Sequence, residues 1–161
     1  MIRNIFKKTK KSNKFDKYIK KYNISTEFMS VNRKMVSRAA LVGFFVAFIP
    51  MPLQMVAVIA VLPFFKFNAL IGIAIVWITN PFTMPIIYYV EYITGNALLM
   101  RDSTLDIEIS IKWFSENLDA IFIPLYTGAL FYSTLSAIFF YYLVNWLWVV
   151  SVRKERKDKK S

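Results

Sequence analysis

From residue 39 onward charged side chains are so sparse that three stretches carry none: Ala39 to Phe65 (27 residues), Phe67 to Val90 (24) and Ala120 to Val152 (33). Each is longer than the roughly 18–20 apolar residues that read as a membrane-spanning helix. Three such stretches cannot cover one another with what is left of the chain, most of which lies in basic tails, so lipid is the expected solvent. The pattern predicts an all-α polytopic membrane protein: a polar and basic region 1–38, a membrane domain 39–152 and a basic tail 153–161.

The first two stretches are not plain spans. Pro50 and Pro52 interrupt one, Pro81 and Pro85 the other. A proline has no backbone N–H and clashes with the carbonyl four residues back, so closely spaced prolines free backbone groups that hydrocarbon cannot satisfy. Laid over each other at an offset of 29 residues, positions 40–56 and 69–85 are identical at six of seventeen places, including Gly43 with Gly72 and Pro52 with Pro81. This pattern predicts an internal repeat of two Pro-broken helical units, 39–65 and 69–95, with Gly43, Pro50, Pro52, Gly72, Pro81 and Pro85 as the residues that shape the breaks. Paired breaks of this kind point to a binding site in small membrane carriers, because half-helix ends aim free N–H and C=O groups at one point. Gln54, Thr79, Asn80 and Thr83 are the polar side chains gathered there. They either bond the backbone groups that the prolines release or contact a ligand. Glu91 is the acid nearest an apolar stretch, which marks it for binding, although its place near the segment end suggests an interfacial position. Lys66, in the connector between the units, is expected to reach a headgroup, and neither it nor Asn68 is given a catalytic role.

Composition agrees with lipid: 57% of residues are hydrophobic and 19% charged, against about 45–50% and about 25% in soluble domains. Charge is segregated. Residues 1–38 hold 12 Lys+Arg against Asp16 and Glu27, residues 153–161 hold 6 against Glu155 and Asp158, and the middle is weakly acidic. Short basic flanks stay cytoplasmic, so both ends are expected there. Phe15, Tyr18, Ile19 and Tyr22 form one apolar edge among Lys14, Lys17, Lys20 and Lys21, an amphipathic helix suited to an anionic leaflet, with lipid rather than nucleic acid as its partner. Tyr141, Tyr142, Trp146 and Trp148 ahead of Arg153 and Lys154 read as an aromatic belt followed by cationic anchors. A cleaved signal peptide is not expected, since the first long apolar run starts after about 38 polar residues. Residues 96–119 read as an interfacial loop; two equivalent units would return it to the cytoplasm, and Ala120 to Val152 then either crosses once or folds back. The chain has no Cys and no His. Disulfides, thiolate chemistry and imidazole acid–base catalysis are therefore excluded, and neither a metal nor another cofactor is expected. An enzyme would need Glu91 or Asp119 to act without a recognisable nucleophile and base, so none is expected.

The run Asn68 to Gly95, with Gly72 and the core Asn80-Pro81-Phe82-Thr83-Met84-Pro85, resembles the bacterial membrane family catalogued as domain of unknown function 2062. Gly43, Pro50 and Gln54 match that family's first characteristic stretch, and the resemblance extends over roughly residues 30 to 150. The family often has a Gly immediately before the Gln, where this chain has Leu53. The resemblance implies a small protein of the bacterial inner membrane and, through relatives fused to lipid-linked glycosyltransferases, a connection with envelope lipids; it implies no reaction. The functional expectation is a permease-like or lipid-handling protein, acting as a homo-oligomer, with a polar site at the paired breaks. The alternative is an accessory or scaffolding membrane protein.

Overall fold

The computed structural model of the protein describes residues 26–101 and 110–158. The amphipathic helix expected around Lys14, Lys17, Lys20 and Lys21 lies outside them, as does most of the alternating segment before Ile111. Every regular element among the described residues is helical. After a single 3-10 turn at Thr26–Met29 come α1 (Arg33–Ala47), α2 (Gln54–Val61), α3 (Ala69–Val76), α4 (Met84–Leu98), the short α5 (Ile111–Glu116) and α6 (Leu118–Asp158). Among the described residues one helix is long and apolar enough to cross a membrane, the part of α6 from Ala120 to Lys154. It is continuous through Pro124 and does not fold back.

Side-chain caps start the helices where the sequence supplies them. The Asn32 Oδ1 accepts from the Met35 N–H at 2.9 Å to open α1, and the Asn68 Oδ1 accepts from the Ile71 N–H at 3.0 Å to open α3. The Asn68 amide also donates to the Ser30 carbonyl at 3.0 Å, and its backbone N–H to the Met35 carbonyl at 3.2 Å. The connector between α2 and α3 is thereby tied to the start of α1. At the other end of α4 the Met100 N–H bonds the Ala97 carbonyl and the Arg101 N–H the Asn96 carbonyl, with Met100 at φ 53°, a helix stop in which glycine usually holds the left-handed position.

These ties give the direction of every helix. Along α1 the order of contacts runs from Asn68 at Met35, through Ile75 and Gly72 at Gly43, to Thr79 at Ala47, so α3 runs parallel to α1, while α2 returns between them. Phe44 stacks on Phe140 with ring centroids 3.7 Å apart, Phe48 lies against Tyr132, and the Tyr126 hydroxyl donates to the Pro50 carbonyl, so α6 runs antiparallel to α1. The α4 helix is antiparallel to α6 as well, since Glu91 meets Gly128 and Gly95 meets Pro124. Thus α1, α3 and α4 point one way and α2 and α6 the other. The first break reverses the chain; the second lets it continue. The aligned units are also built in opposite proportion, 15 then 8 helical residues in the first and 8 then 15 in the second. The premise that the units are equivalent, from which an even number of crossings followed, does not hold. The segment between α4 and α6 leaves from the end of the bundle opposite the start of α1 and the end of α6.

Two packed clusters hold the bundle. Ala39, Val42 and Val46 of α1 meet Val58, Phe67 and Val76 around the returning α2, and Tyr92 of α4 meets Ile121 and Leu125 of α6. Outside these clusters the surface is strongly apolar: Phe82 is 91% exposed, Phe64 90% and Trp77 61%.

Candidate functional site

The end of α1 leaves carbonyls with no helical partner, because Pro50 and Pro52 supply no N–H and the chain turns away. One of them, on Ala47, accepts from both breaks: the Gln54 amide at 3.2 Å and the Thr79 hydroxyl at 2.6 Å. Gln54 also donates to the Ile49 carbonyl at 3.0 Å. The structure thus brings the two interruptions together on a single backbone oxygen, with Gln54 and Thr79 both buried. The reversal itself passes through Leu53, whose φ of 60° and ψ of 36° place it in the left-handed region favoured by glycine.

Asn80 and Thr83 close the second break on themselves. The Asn80 Oδ1 accepts from the Phe82 N–H at 2.9 Å and the Thr83 N–H at 3.2 Å, and its amide donates to the Trp77 carbonyl at 3.2 Å. The Thr83 hydroxyl accepts from the Asn80 N–H at 3.0 Å and donates to the Ile78 carbonyl at 2.6 Å. The Trp77 and Ile78 carbonyls and the Asn80, Phe82 and Thr83 N–H groups released by the interruption are thus answered within a few residues, as a proline break in an apolar setting requires.

Three expected break residues have other places. Pro85 lies in the first turn of α4, where a missing N–H costs nothing because that position has no helical acceptor. Gly43 and Gly72 are inside α1 and α3, not at breaks. A Cβ on Gly43 would stand 3.0 Å from the Gly72 carbonyl oxygen and 2.9 Å from the Ile75 Cβ, so Gly43 permits the α1–α3 contact, while a Cβ on Gly72 would meet Phe67 at 2.9 Å and Val58 at 3.2 Å. Glu91 is buried within the protein: it is 1% exposed, on the face of α4 that meets α6, and neither carboxylate oxygen has a hydrogen-bond partner among the described residues.

Between the breaks lies a half-open cleft of about 290 Å³. Pro50, Met51 and Pro52 form one side, Met84, Pro85 and Tyr88 another, and Leu125 of α6 with Ile111 and Ser115 of α5 complete it. Its walls are almost wholly apolar, since the polar side chains of the breaks face backbone.

A profile described as "Uncharacterized protein conserved in bacteria (DUF2062)" matches residues 16–157. The chain belongs to the DUF2062 family. No curated protein and no solved structure matches it. The match takes in the described helices of this DUF2062 protein, with α6 covered to Lys157, together with both breaks and the cleft. Three contributors to the site gave no clear sign in the sequence. Tyr126 reaches the Pro50 carbonyl from 76 residues away. Gly95 and Gly128 seat the α4–α6 crossing. The available signal was their spacing, Glu91-x-x-x-Gly95 and Pro124-x-x-x-Gly128, which puts each glycine one turn from the carbonyl that the glycine of the other helix receives.

Proposed function

We propose that this protein is a non-enzymatic, multi-pass protein of the bacterial inner membrane that handles lipid, holding an apolar chain in the cleft between its two helix breaks. The cleft carries this reading. Its volume of about 290 Å³ is near the lower end of ligand pockets, about 300 Å³, and its walls suit hydrocarbon rather than a polar solute. The hydrogen bonds of Gln54, Thr79, Asn80 and Thr83 to backbone favour lipid over a small polar substrate.

In the proposed arrangement α1 and α2 enter the bilayer from the cytoplasmic side and turn back, α3 and α4 cross it, and α6 returns. This places Arg33, Lys34, Arg38, Lys66, Arg153 and Lys154 at one end, facing anionic headgroups and the cytoplasm, and the acidic segment before α6 outside, in keeping with the basic-flank rule. The Arg38 guanidinium, bonded to the Lys66 carbonyl at 3.3 Å and 4.7 Å from the Phe65 ring, joins two of these basic segments. Single cysteines at Phe64 and Lys154 should react with an impermeant maleimide from the cytoplasmic side and one at Met100 from the other; reaction of all three from one side refutes the arrangement.

The lipid reading is tested with a photoactivatable phospholipid in proteoliposomes. Met84→Trp, which fills the cleft, should lower cross-linking several-fold with helicity unchanged, and unaltered cross-linking refutes the reading. A second reading, an accessory or scaffolding protein, is favoured by the same spent hydrogen bonds. Under it Asn80→Ala, which strips the second break of its bonds, lowers partner capture and the natural protein takes no lipid label in the cleft, whereas under the lipid reading the cleft labels.

A further inference from the structure

The first break, the second break and the cleft account for the polar side chains gathered near them, but not for Glu91. It is 1% exposed, deeper than any other acidic side chain described, and neither of its oxygens meets a donor among the described residues. Its own backbone carbonyl is pressed against Gly128 at the α4–α6 crossing, which fixes that turn of helix in place. A carboxylate charged, dry and without a donor is far more costly than any contact visible around it can offset, so the group must be neutralised by one positive charge. No Lys or Arg forms an ion pair with it among the described residues; the Lys112 ammonium is 3.9 Å from Glu116, on the exposed face of α5. The other titratable side chains described on α4 and α6 are the phenols Tyr88, Tyr89 and Tyr92 of α4 and Tyr126 and Tyr132 of α6, with Tyr141, Tyr142, Arg153 and Lys154 lying about 20 Å or more further along α6 from Gly128. The Tyr126 hydroxyl is held by the Pro50 carbonyl, and that of Tyr132 lies 3.0 Å from the Thr94 hydroxyl. No cationic side chain described is placed to neutralise Glu91, so the charge comes from outside the fold. The cleft comes nearest to it at Tyr88, which is three residues away on the same face of α4 and lines the half-open cleft.

We propose that Glu91 is a binding site for one monovalent cation, a proton or an alkali ion, which reaches it from the cleft past Tyr88. The site does not depend on a lipid in the cleft, and it gives a reason for an acidic residue to be seated at a close helix crossing, where an apolar side chain would pack at less cost.

The test uses the full chain in liposomes of phosphatidylcholine and phosphatidylglycerol, treated with dicyclohexylcarbodiimide, which attacks protonated carboxyl groups in apolar surroundings. Modification of Glu91 is read from peptide masses. If a proton is the ligand, modification falls about tenfold per pH unit above the midpoint. If an alkali ion is, added Na⁺ or K⁺ at fixed pH lowers it in proportion, about tenfold per tenfold of ion beyond saturation. Glu91→Gln abolishes the modification and, where it folds, removes any dependence of thermal unfolding on pH or Na⁺ that the natural protein shows in the same range. Modification of Glu91 that ignores both pH and alkali ion, or that never occurs at any pH, overturns the proposal.

Discussion

Gly128→Ala should open the α4–α6 crossing, and its cost can be worked from the geometry. A Cβ on Gly128 would stand 2.6 Å from the Glu91 carbonyl carbon, nearer still to its oxygen, and a Cβ on Gly95 would stand 2.6 Å from the Pro124 carbonyl carbon. Ordinary carbon–carbon contact is about 3.5 Å, so one methyl group drives the helices apart by about 0.9 Å or more. The obstruction is backbone on both sides and cannot rotate away. Loss of that packing belongs at the upper end of the 1–3 kcal/mol typical of overpacking, about 3 kcal/mol. Because a single outward shift relieves both clashes, Gly95→Ala with Gly128→Ala should cost well under the sum of the two, a coupling of about 1 kcal/mol or more. Gly72→Ala supplies the contrast: its obstacles are side chains, the buried Phe67 ring edge at 2.9 Å and a Val58 methyl at 3.2 Å, which can give by a few tenths of an ångström where backbone cannot, so it should cost about 1–2 kcal/mol, less than Gly128→Ala. Unfolding in detergent micelles followed by circular dichroism measures all four variants. Tolerance of Gly128→Ala within about 0.5 kcal/mol, or strict additivity of the pair, would refute the reasoning.

Three further outcomes follow from the breaks. Gln54→Leu and Thr79→Val each leave the Ala47 carbonyl one donor, so each should cost about 1 kcal/mol, while the double variant strands a buried carbonyl and should exceed their sum by about 1 kcal/mol in the same unfolding assay. Leu53→Gly relieves a left-handed residue whose side chain is 75% exposed, and should raise stability by about 0.5–1 kcal/mol; a loss would mean that the Leu side chain outweighs its backbone. Tyr126→Phe removes the hydroxyl that joins α6 to the Pro50 carbonyl and should cost about 1 kcal/mol, with faster reaction of a single cysteine placed at Met51.

Much of the architecture is legible in the residues taken one after another. The absence of charge over long stretches forces helices, because only a helix satisfies its own backbone without water. The prolines locate both interruptions, and the need to answer freed carbonyls singles out Gln54, Thr79, Asn80 and Thr83 as the side chains beside them. Chain direction is different in kind. Pro50 and Pro52 with a left-handed Leu53 reverse the path, while Pro81, locked by the reciprocal bonds of Asn80 and Thr83, lets it go on, and the aligned sequences of the two stretches do not distinguish these results. The reversal is secured by the return of α2 and its connector alongside α1, ending in the bond from Asn68 to Met35, a contact between residues far apart in the chain. Glu91 makes the same point from the other side. Its place beside an apolar stretch carries no sign of burial within the protein, and only the crossing of α4 on α6, made close by Gly95 and Gly128, buries it. Local chemistry determined which backbone groups needed partners; tertiary packing decided which segment supplied them, because burial depends on what arrives from elsewhere in the chain.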